Sequence, residues 1–124
     1  MRPIVLLLAM VLTSCARTVP PDSAGLPGEL AGYAAGAPQS CVPTSTSQSL
    51  RVIDSSTLAY GSGKTIYVNH LGGACPALSP LNTLIVDAQS GQYCRGDRVR
   101  GLEREGLIPG PVCILGTWVP YRMP

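Results

Sequence analysis

The sequence predicts a mainly β fold: a small antiparallel sheet or barrel of about six short strands, cross-linked by two disulfides, after a signal peptide and a disordered tether. Fourteen Gly and twelve Pro in 124 residues argue against long helices, because an interior Pro costs a helix about 3 kcal/mol and a Gly about 1 kcal/mol. Short runs of β-branched and aromatic residues recur between Gly- and Pro-containing breaks. Four cysteines beyond the N-terminal region suit paired disulfides.

The N-terminus is typical of a bacterial lipoprotein precursor. Arg2 gives the start of the chain a positive charge, and residues 4–12 form an unbroken apolar run. Since a membrane-spanning helix needs about 20 apolar residues, this run fits a signal peptide rather than a permanent anchor. Residues 12–15, Leu-Thr-Ser-Cys, match a lipobox, so we expect cleavage after residue 14 and lipidation of Cys15. The alternative is an ordinary signal peptide with a chance cysteine near its end.

The predicted location is the bacterial cell envelope, with the chain anchored through acyl chains such as palmitate. Each buried lipid CH₂ contributes about 0.8 kcal/mol to membrane binding, and lipoproteins carry several chains. Ala16 follows the anchor cysteine, which by analogy with enterobacterial sorting favours the outer membrane, facing the periplasm.

A flexible tether is predicted for residues 15–40, and a folded domain for residues 41–124. Residues 16–40 contain four Pro and four Gly and show no period of 3.6 or 2. A short helix over residues 29–35 is the alternative for part of this segment.

Six strand candidates lie within the predicted domain. They are residues 49–54, 57–60, 64–69, 82–87, 97–102 and 112–118. Residues 61–63, Gly-Ser-Gly, predict a hairpin turn between the second and third candidates.

The cysteines are expected to form disulfides rather than a metal site. With Cys15 committed to lipid, four remain, and an oxidising compartment favours their pairing. Zinc sites usually contain closely paired ligands, whereas these cysteines are 34, 19 and 19 residues apart. Three pairings are open, of which Cys75–Cys94 with Cys41–Cys113 is favoured. No metal is expected.

Two motifs have ordinary structural interpretations. Residues 61–65, Gly-Ser-Gly-Lys-Thr, resemble the tail of a phosphate-binding loop, but Leu58 occupies the position of its first glycine. No nucleotide is therefore expected. Residues 95–97, Arg-Gly-Asp, are interpreted as a turn in which Gly96 supplies backbone freedom and the Asp97 carboxylate caps the next strand.

No catalytic residue, cofactor or enzymatic activity is predicted. His70 is the only histidine, no serine has a nucleophile-elbow context, and no pair of carboxylates is selected by spacing. We therefore interpret His70 as a partly exposed residue at a strand end. The four Arg of residues 95–104 alternate with acidic residues, which disfavours a nucleic-acid partner.

The order of motifs resembles that of a known family. After Cys41 come Ile-Asp-x-x-Thr-Leu at 53–58, Tyr-x-Asn-x-Leu at 67–71, Cys-Pro-x-Leu at 75–78, Cys-x-x-Asp at 94–97 and Cys-x-Leu-Gly at 113–116. This pattern resembles a family of small proteobacterial envelope proteins and lipoproteins of unknown function, over residues 41–121. The resemblance implies a secreted or lipid-anchored β-rich module with paired cysteines, without an assigned activity.

The predicted function is that of a non-enzymatic binding or structural module of the envelope. Its partners would be the membrane, through the lipid, and an envelope protein, whose strand an exposed sheet edge could accept. Trp118 and Tyr121 are candidate interface residues because aromatic side chains often anchor interfaces. Core packing of Trp118 is equally compatible with the sequence. The alternative function is a small enzyme inhibitor or a hydrolase acting in the periplasm.

Overall fold

The computed structural model describes residues 28–124. The predicted signal peptide (residues 1–14) and the predicted lipidation site Cys15 lie outside these residues. Within residues 28–124 all regular elements are β-strands, so the predicted mainly β fold class is confirmed. In this part of the chain no helix is long and apolar enough to cross a membrane.

In residues 28–124, ten short strands form three antiparallel sheets. The strands are β1 Ala34–Ala35, β2 Cys41–Pro43, β3 Leu50–Asp54, β4 Thr57–Tyr60, β5 Thr65–His70, β6 Thr83–Asp87, β7 Gln92–Cys94, β8 Arg98–Leu102, β9 Cys113–Ile114 and β10 Trp118–Arg122. A five-stranded sheet has the order β1-β10-β5-β4-β3, a two-stranded sheet pairs β2 with β7, and a three-stranded sheet has the order β6-β8-β9.

Five of the six predicted strands match β3, β4, β5, β6 and β8 to within one residue at each end. The sixth, residues 112–118, is wrong as a single strand, because the chain leaves β9 and enters β10 in a different sheet. Between them, the buried amide of Asn69 holds the backbone of Gly116: its Nδ2 donates to the Gly116 carbonyl and its Oδ1 accepts from the Gly116 N–H, both at 2.8 Å. At Gly116 the backbone is thus hydrogen-bonded to a side chain and not to a neighbouring strand.

The predicted hairpin turn between β4 and β5 is confirmed. The two strands pair antiparallel, and Gly61 and Gly63 have φ angles of 89° and 76°. Such positive values favour glycine, which lacks the Cβ that would clash. Lys64 is followed directly by β5, which begins at Thr65. The Gly-Ser-Gly-Lys-Thr segment therefore leads into a strand, whereas a phosphate-binding loop leads into a helix.

The five-stranded sheet separates two apolar clusters, because side chains alternate between its faces. The larger cluster joins all three sheets and contains Val42, Val52, Leu58, Tyr60, Leu71, Cys75, Leu78, Val99, Leu115 and Trp118. The smaller one consists of Ala59, Ile66 and Val68 on the opposite face. At the border of the larger cluster, burial and the neighbouring Tyr60 raise the pKa of Tyr93.

The folded domain begins before Cys41, the predicted boundary between tether and domain. Strand β1 pairs with β10, and Leu30 and Tyr33 pack against the smaller apolar cluster. Gln39 also exchanges two backbone hydrogen bonds with Trp118, at 2.8 and 2.9 Å. The last part of the predicted tether therefore belongs to the domain. A two-residue strand bonded through its backbone leaves no side-chain periodicity for sequence reasoning to detect.

Candidate functional site

The four cysteines of the described part of the chain form two disulfides, Cys41–Cys94 and Cys75–Cys113. The favoured pairing of Cys75 with Cys94 and of Cys41 with Cys113 was wrong. Strands β2 and β7 place Cys41 directly opposite Cys94, with 4.0 Å between their Cα atoms. The choice of pairing follows from the contact between two three-residue strands, which were too short to be predicted.

Trp118 is a core residue, so its prediction as an interface residue was wrong. Its side chain is fully buried and packs edge-on against Tyr60, with 6.5 Å between ring centroids. The reason is that β10 lies between β1 and β5, inside the five-stranded sheet. Tyr121 is half-buried against the smaller apolar cluster. These two aromatic residues therefore do not form an exposed surface.

The other singled-out residues occupy turns and strand ends. His70 ends β5 half-buried, opposite Thr57. In the Arg-Gly-Asp turn, Gly96 has a φ of 94°, and the Asp97 carboxylate accepts a hydrogen bond from the Cys94 N–H at 2.8 Å. Across residues 28–124, no group of three or more His, Cys, Asp or Glu side chains is arranged to hold a metal ion.

Exposed apolar side chains concentrate on the three-stranded sheet. The large ones exposed among the described residues are Leu81, Ile85, Leu107, Ile108, Val112, Ile114 and Met123. Except for Met123, all belong to β6, to β9 or to the segments directly adjoining the strands of this sheet. Such a concentration of apolar surface is typical of an interaction site.

The outer face of this sheet combines apolar and charged side chains. Directly opposite residues in an antiparallel pair point to the same face. Ile85 of β6 lies opposite Arg100, and Asp87 lies opposite Arg98, which in turn lies opposite Ile114 of β9. The Arg100 guanidinium lies 3.9 Å from the Asp87 carboxylate. The face therefore presents Ile85 and Ile114 beside a partly neutralised pair of arginines.

Among the strands of residues 28–124, β6 has a hydrogen-bonded neighbour on one side only, β8. The carbonyls of Asp97 and Gly101 accept hydrogen bonds from Leu115 and Gly110, at 2.9 and 2.8 Å, so these two carbonyls point away from β6. Successive backbone groups of a strand alternate in direction. Arg100 and the residues two positions on either side of it therefore direct their N–H and C=O groups towards β6.

The same alternation shows which groups of β6 are open. Arg98, Arg100 and Leu102 lie opposite Asp87, Ile85 and Thr83, so those three residues of β6 use their backbone groups in the ladder. The N–H and C=O groups of Leu84 and Val86 consequently point to the unpaired side of β6. We call the backbone of residues 83–87 on this side the β6 edge.

The other edge strands carry features that hinder pairing with a further strand. A bulge interrupts β3 between Val52 and Asp54, β2 ends in Pro43, and β9 has two residues preceded by Pro109 and Pro111. Strand β1 also has two residues, and β7 has three. By contrast, β6 keeps an unbroken five-residue register and contains no Pro, Gly or Lys. Among the described strands it is the longest regular edge without such protection.

Surface clefts lie at the two ends of the β6–β8 pair. One, of about 400 Å³, is lined by Asp87, Gln89, Gly96, Asp97 and Arg98. The other, of about 350 Å³, is lined by Ser79, Leu81, Asn82, Glu103, Arg104 and Glu105. Acidic and basic side chains therefore lie at both ends of this strand pair.

Sequence reasoning identified residues 82–87 as a strand but missed its role. The segment Thr-Leu-Ile-Val-Asp did contain a signal. Its alternate residues 83, 85 and 87 face solvent, and Ile85 is an apolar side chain between the polar Thr83 and Asp87. Whether such a strand lies inside a sheet or at its edge depends on pairing, which periodicity does not report.

Comparison with protein-family models, with curated proteins and with solved structures gave no match to this chain. The resemblance to small envelope proteins therefore stays a prediction, and the geometry of residues 28–124 is the basis for assigning a function.

Proposed function

We propose that this chain is a bacterial envelope lipoprotein, anchored through Cys15, whose β domain is a non-enzymatic module that binds a protein at the β6 edge. The observation that carries the binding role is the open backbone of Leu84 and Val86 beside the exposed side chain of Ile85. The anchor rests on the apolar run and the lipobox of residues 4–15.

Strand addition explains how so small a surface can bind a polypeptide. Main-chain hydrogen bonds supply affinity, and side chains on the accepting sheet supply specificity. Each hydrogen bond contributes about 0.5–1.5 kcal/mol net, so Leu84 and Val86 together provide a modest gain. Ile85, 38% exposed, adds apolar contact on the outer face.

The anchor is tested by metabolic labelling with radioactive palmitate in a bacterial host. The full chain should incorporate label, and Cys15→Ser should abolish it without loss of the protein. Equal labelling of the two chains would contradict lipidation at Cys15.

The binding role is tested by site-specific photo-cross-linking in intact cells. A benzophenone amino acid at position 85 should give a cross-linked protein adduct, because this side chain borders the β6 edge. The matched control is position 62, which is exposed in the β4–β5 turn. This turn belongs to the five-stranded sheet, whereas β6 belongs to the three-stranded sheet. No adduct at position 85, or equal adducts at both positions, would contradict binding at the β6 edge.

A second candidate function, a protease inhibitor, is favoured by the loop of residues 103–112. Leu107 and Ile108 are 96% and 86% exposed, and a loop that offers apolar residues to a protease needs such exposure. The loop is held by hydrogen bonds from Gly106 to Glu103 and from Gly110 to Gly101, at 2.9 and 2.8 Å. The Cys75–Cys113 disulfide follows directly.

Inhibition assays distinguish this candidate from the first. An inhibitor would slow chymotrypsin-like or elastase-like proteases without being consumed, and Leu107→Asp would abolish the effect while Ile85→Lys would not. Rapid cleavage of the loop, or no inhibition, would remove the candidate.

A further inference from the structure

Resting on the proposed binding role of the β6 edge, we propose that its partner is a second copy of this chain, paired antiparallel through β6 about a two-fold axis at Ile85. The proposal follows from three properties of the edge: its hydrogen-bonding pattern, the charges along it and the side chain at its centre.

The hydrogen-bonding pattern of β6 is complementary to itself. Leu84 and Val86 both direct their backbone groups to the open side, and Ile85 lies midway between them. With Ile85 opposite Ile85 of the second copy, Leu84 faces Val86 of that copy and Val86 faces its Leu84. Each of these is a hydrogen-bonded pair, in which both residues donate an N–H and accept at a C=O. No outward backbone group of residues 84–86 is left without a partner.

The charges along the edge favour this register. Thr83 and Asp87 are the outward-facing residues at the two ends of β6. In the symmetric register each Asp87 lies opposite Thr83 of the second copy, so a carboxylate meets a hydroxyl group. A shift that placed Asp87 opposite Asp87 would oppose like charges, which is destabilising. The Arg100 beside Asp87 reduces its remaining charge.

The central side chain also fits self-pairing. Ile85 would lie opposite Ile85 of the second copy in a non-hydrogen-bonded pair, where side chains approach most closely. Contacts between such cross-strand side chains stabilise a sheet. Two three-stranded sheets would join into one sheet of six strands, β9-β8-β6-β6-β8-β9. Because the surface is the same on both copies, the contact closes on itself and stops at a dimer.

The test uses two differently tagged full-length copies, co-expressed and extracted in mild detergent, with one copy captured through its tag. Wild-type copies should co-purify. Ile85→Lys on both copies, or Ile85→Glu on both, should reduce the recovered partner at least about tenfold, because like charges would lie directly opposite. Ile85→Lys on one copy with Ile85→Glu on the other should restore recovery. Met123→Lys on both copies, at an exposed apolar position outside the three-stranded sheet, is the matched control and should leave recovery unchanged.

Three results would overturn self-pairing: no co-purification of wild-type copies, full co-purification of the Lys–Lys pair, or no recovery in the Lys–Glu pair. The photo-cross-link at position 85 separates this failure from that of the proposed function. An adduct with a different protein, and none of twice the chain mass, overturns self-pairing and leaves binding at the β6 edge intact. The absence of any adduct overturns both.

Discussion

At the scale of single residues, Asn69 of β5 fixes the connection between β9 and β10 through Gly116. The Asn69 side chain is fully buried and makes two hydrogen bonds of 2.8 Å with the backbone of Gly116. Gly116 must be glycine, because a Cβ there would overlap the carbonyl oxygen of His70. The Tyr-x-Asn and Leu-Gly motifs, distant in sequence, thus form one contact in the fold.

Asn69→Ala should lower the free energy of unfolding by about 2 kcal/mol, because it leaves the half-buried N–H and C=O of Gly116 without their Asn69 partners. Urea unfolding followed by circular dichroism measures the change. Gln89→Ala, which alters an exposed amide side chain, is the matched control and should change stability by less than about 0.5 kcal/mol. Equal effects of the two variants would contradict a structural role for the Asn69 amide.

Asp54 makes stability depend on pH. Burial raises the pKa of this carboxyl, but hydrogen bonds from Ser56 and Thr57 outweigh it and hold the pKa below the ordinary value of 3.8. A lowered pKa in the folded state means that the ionised form stabilises the fold above that value. This stabilisation is lost as the pH falls through the folded-state pKa.

The measurement is the free energy of unfolding of the wild type and of Asp54→Asn between pH 7 and pH 2. The difference between the two proteins should be constant near neutral pH and should change only below about pH 4. A difference that stayed constant down to pH 2 would contradict the lowered pKa of Asp54.

At the scale of elements, the disulfides fix short strands that have little stability of their own. Cys41–Cys94 links β2 to β7, and Cys75–Cys113 links the segment after β5 to β9. Their sequence separations are 53 and 38 residues, for which chain-entropy arguments give about 4 kcal/mol each.

Peptide mapping under non-reducing conditions should therefore recover Cys41 with Cys94 and Cys75 with Cys113. Replacing both cysteines of either pair by alanine should lower the free energy of unfolding by about 4 kcal/mol. A peptide joining Cys75 to Cys94 would contradict the observed pairing of β2 with β7.

The N-terminal segment that packs on the smaller apolar cluster gives a further prediction. Leu30 and Tyr33 are both half-buried there. The double variant Leu30→Ala/Tyr33→Ala should lower the free energy of unfolding by about 2 kcal/mol, since it removes most of two large side chains that are half-buried against this cluster. Ala37→Ser, at an exposed position, should leave it unchanged. If residues 30–33 served only as a tether, the two variants would be equally stable.

Element prediction from sequence worked for five of the six described strands of four or more residues, and the exception is β10, whose Pro120 interrupts the strand pattern. Strands β3, β4, β5, β6 and β8 have four to six residues, enough for alternation or β-branched enrichment to be visible. Strands β1, β2, β7 and β9 have two or three, and their formation depends on partners far away in the chain. The disulfide pairing was missed for this reason, since it follows from the contact of β2 with β7.

At the scale of the whole molecule, the candidate site depends on how the sheets are divided. Sequence analysis predicted a sheet edge that accepts a partner strand, but it assigned the interface residues to Trp118 and Tyr121. Trp118 became core because β10 is flanked on both sides. Strand β6 became an edge because β8 pairs with one of its sides and no other strand of residues 28–124 pairs with the second. Neither outcome follows from local periodicity, because both are properties of the complete strand order.

Amide hydrogen exchange at Leu84 and Val86 tests the central claim, an open β6 edge that binds a strand, most directly. In the dilute free chain both amides should exchange much faster than the amide of Arg100, which lies in the β6–β8 ladder. At high chain concentration, or with a bound partner, both should become protected while the exchange of Arg100 changes little. Protection of Leu84 and Val86 already in the dilute free chain, or fast exchange that persists in the bound state, would contradict the claim.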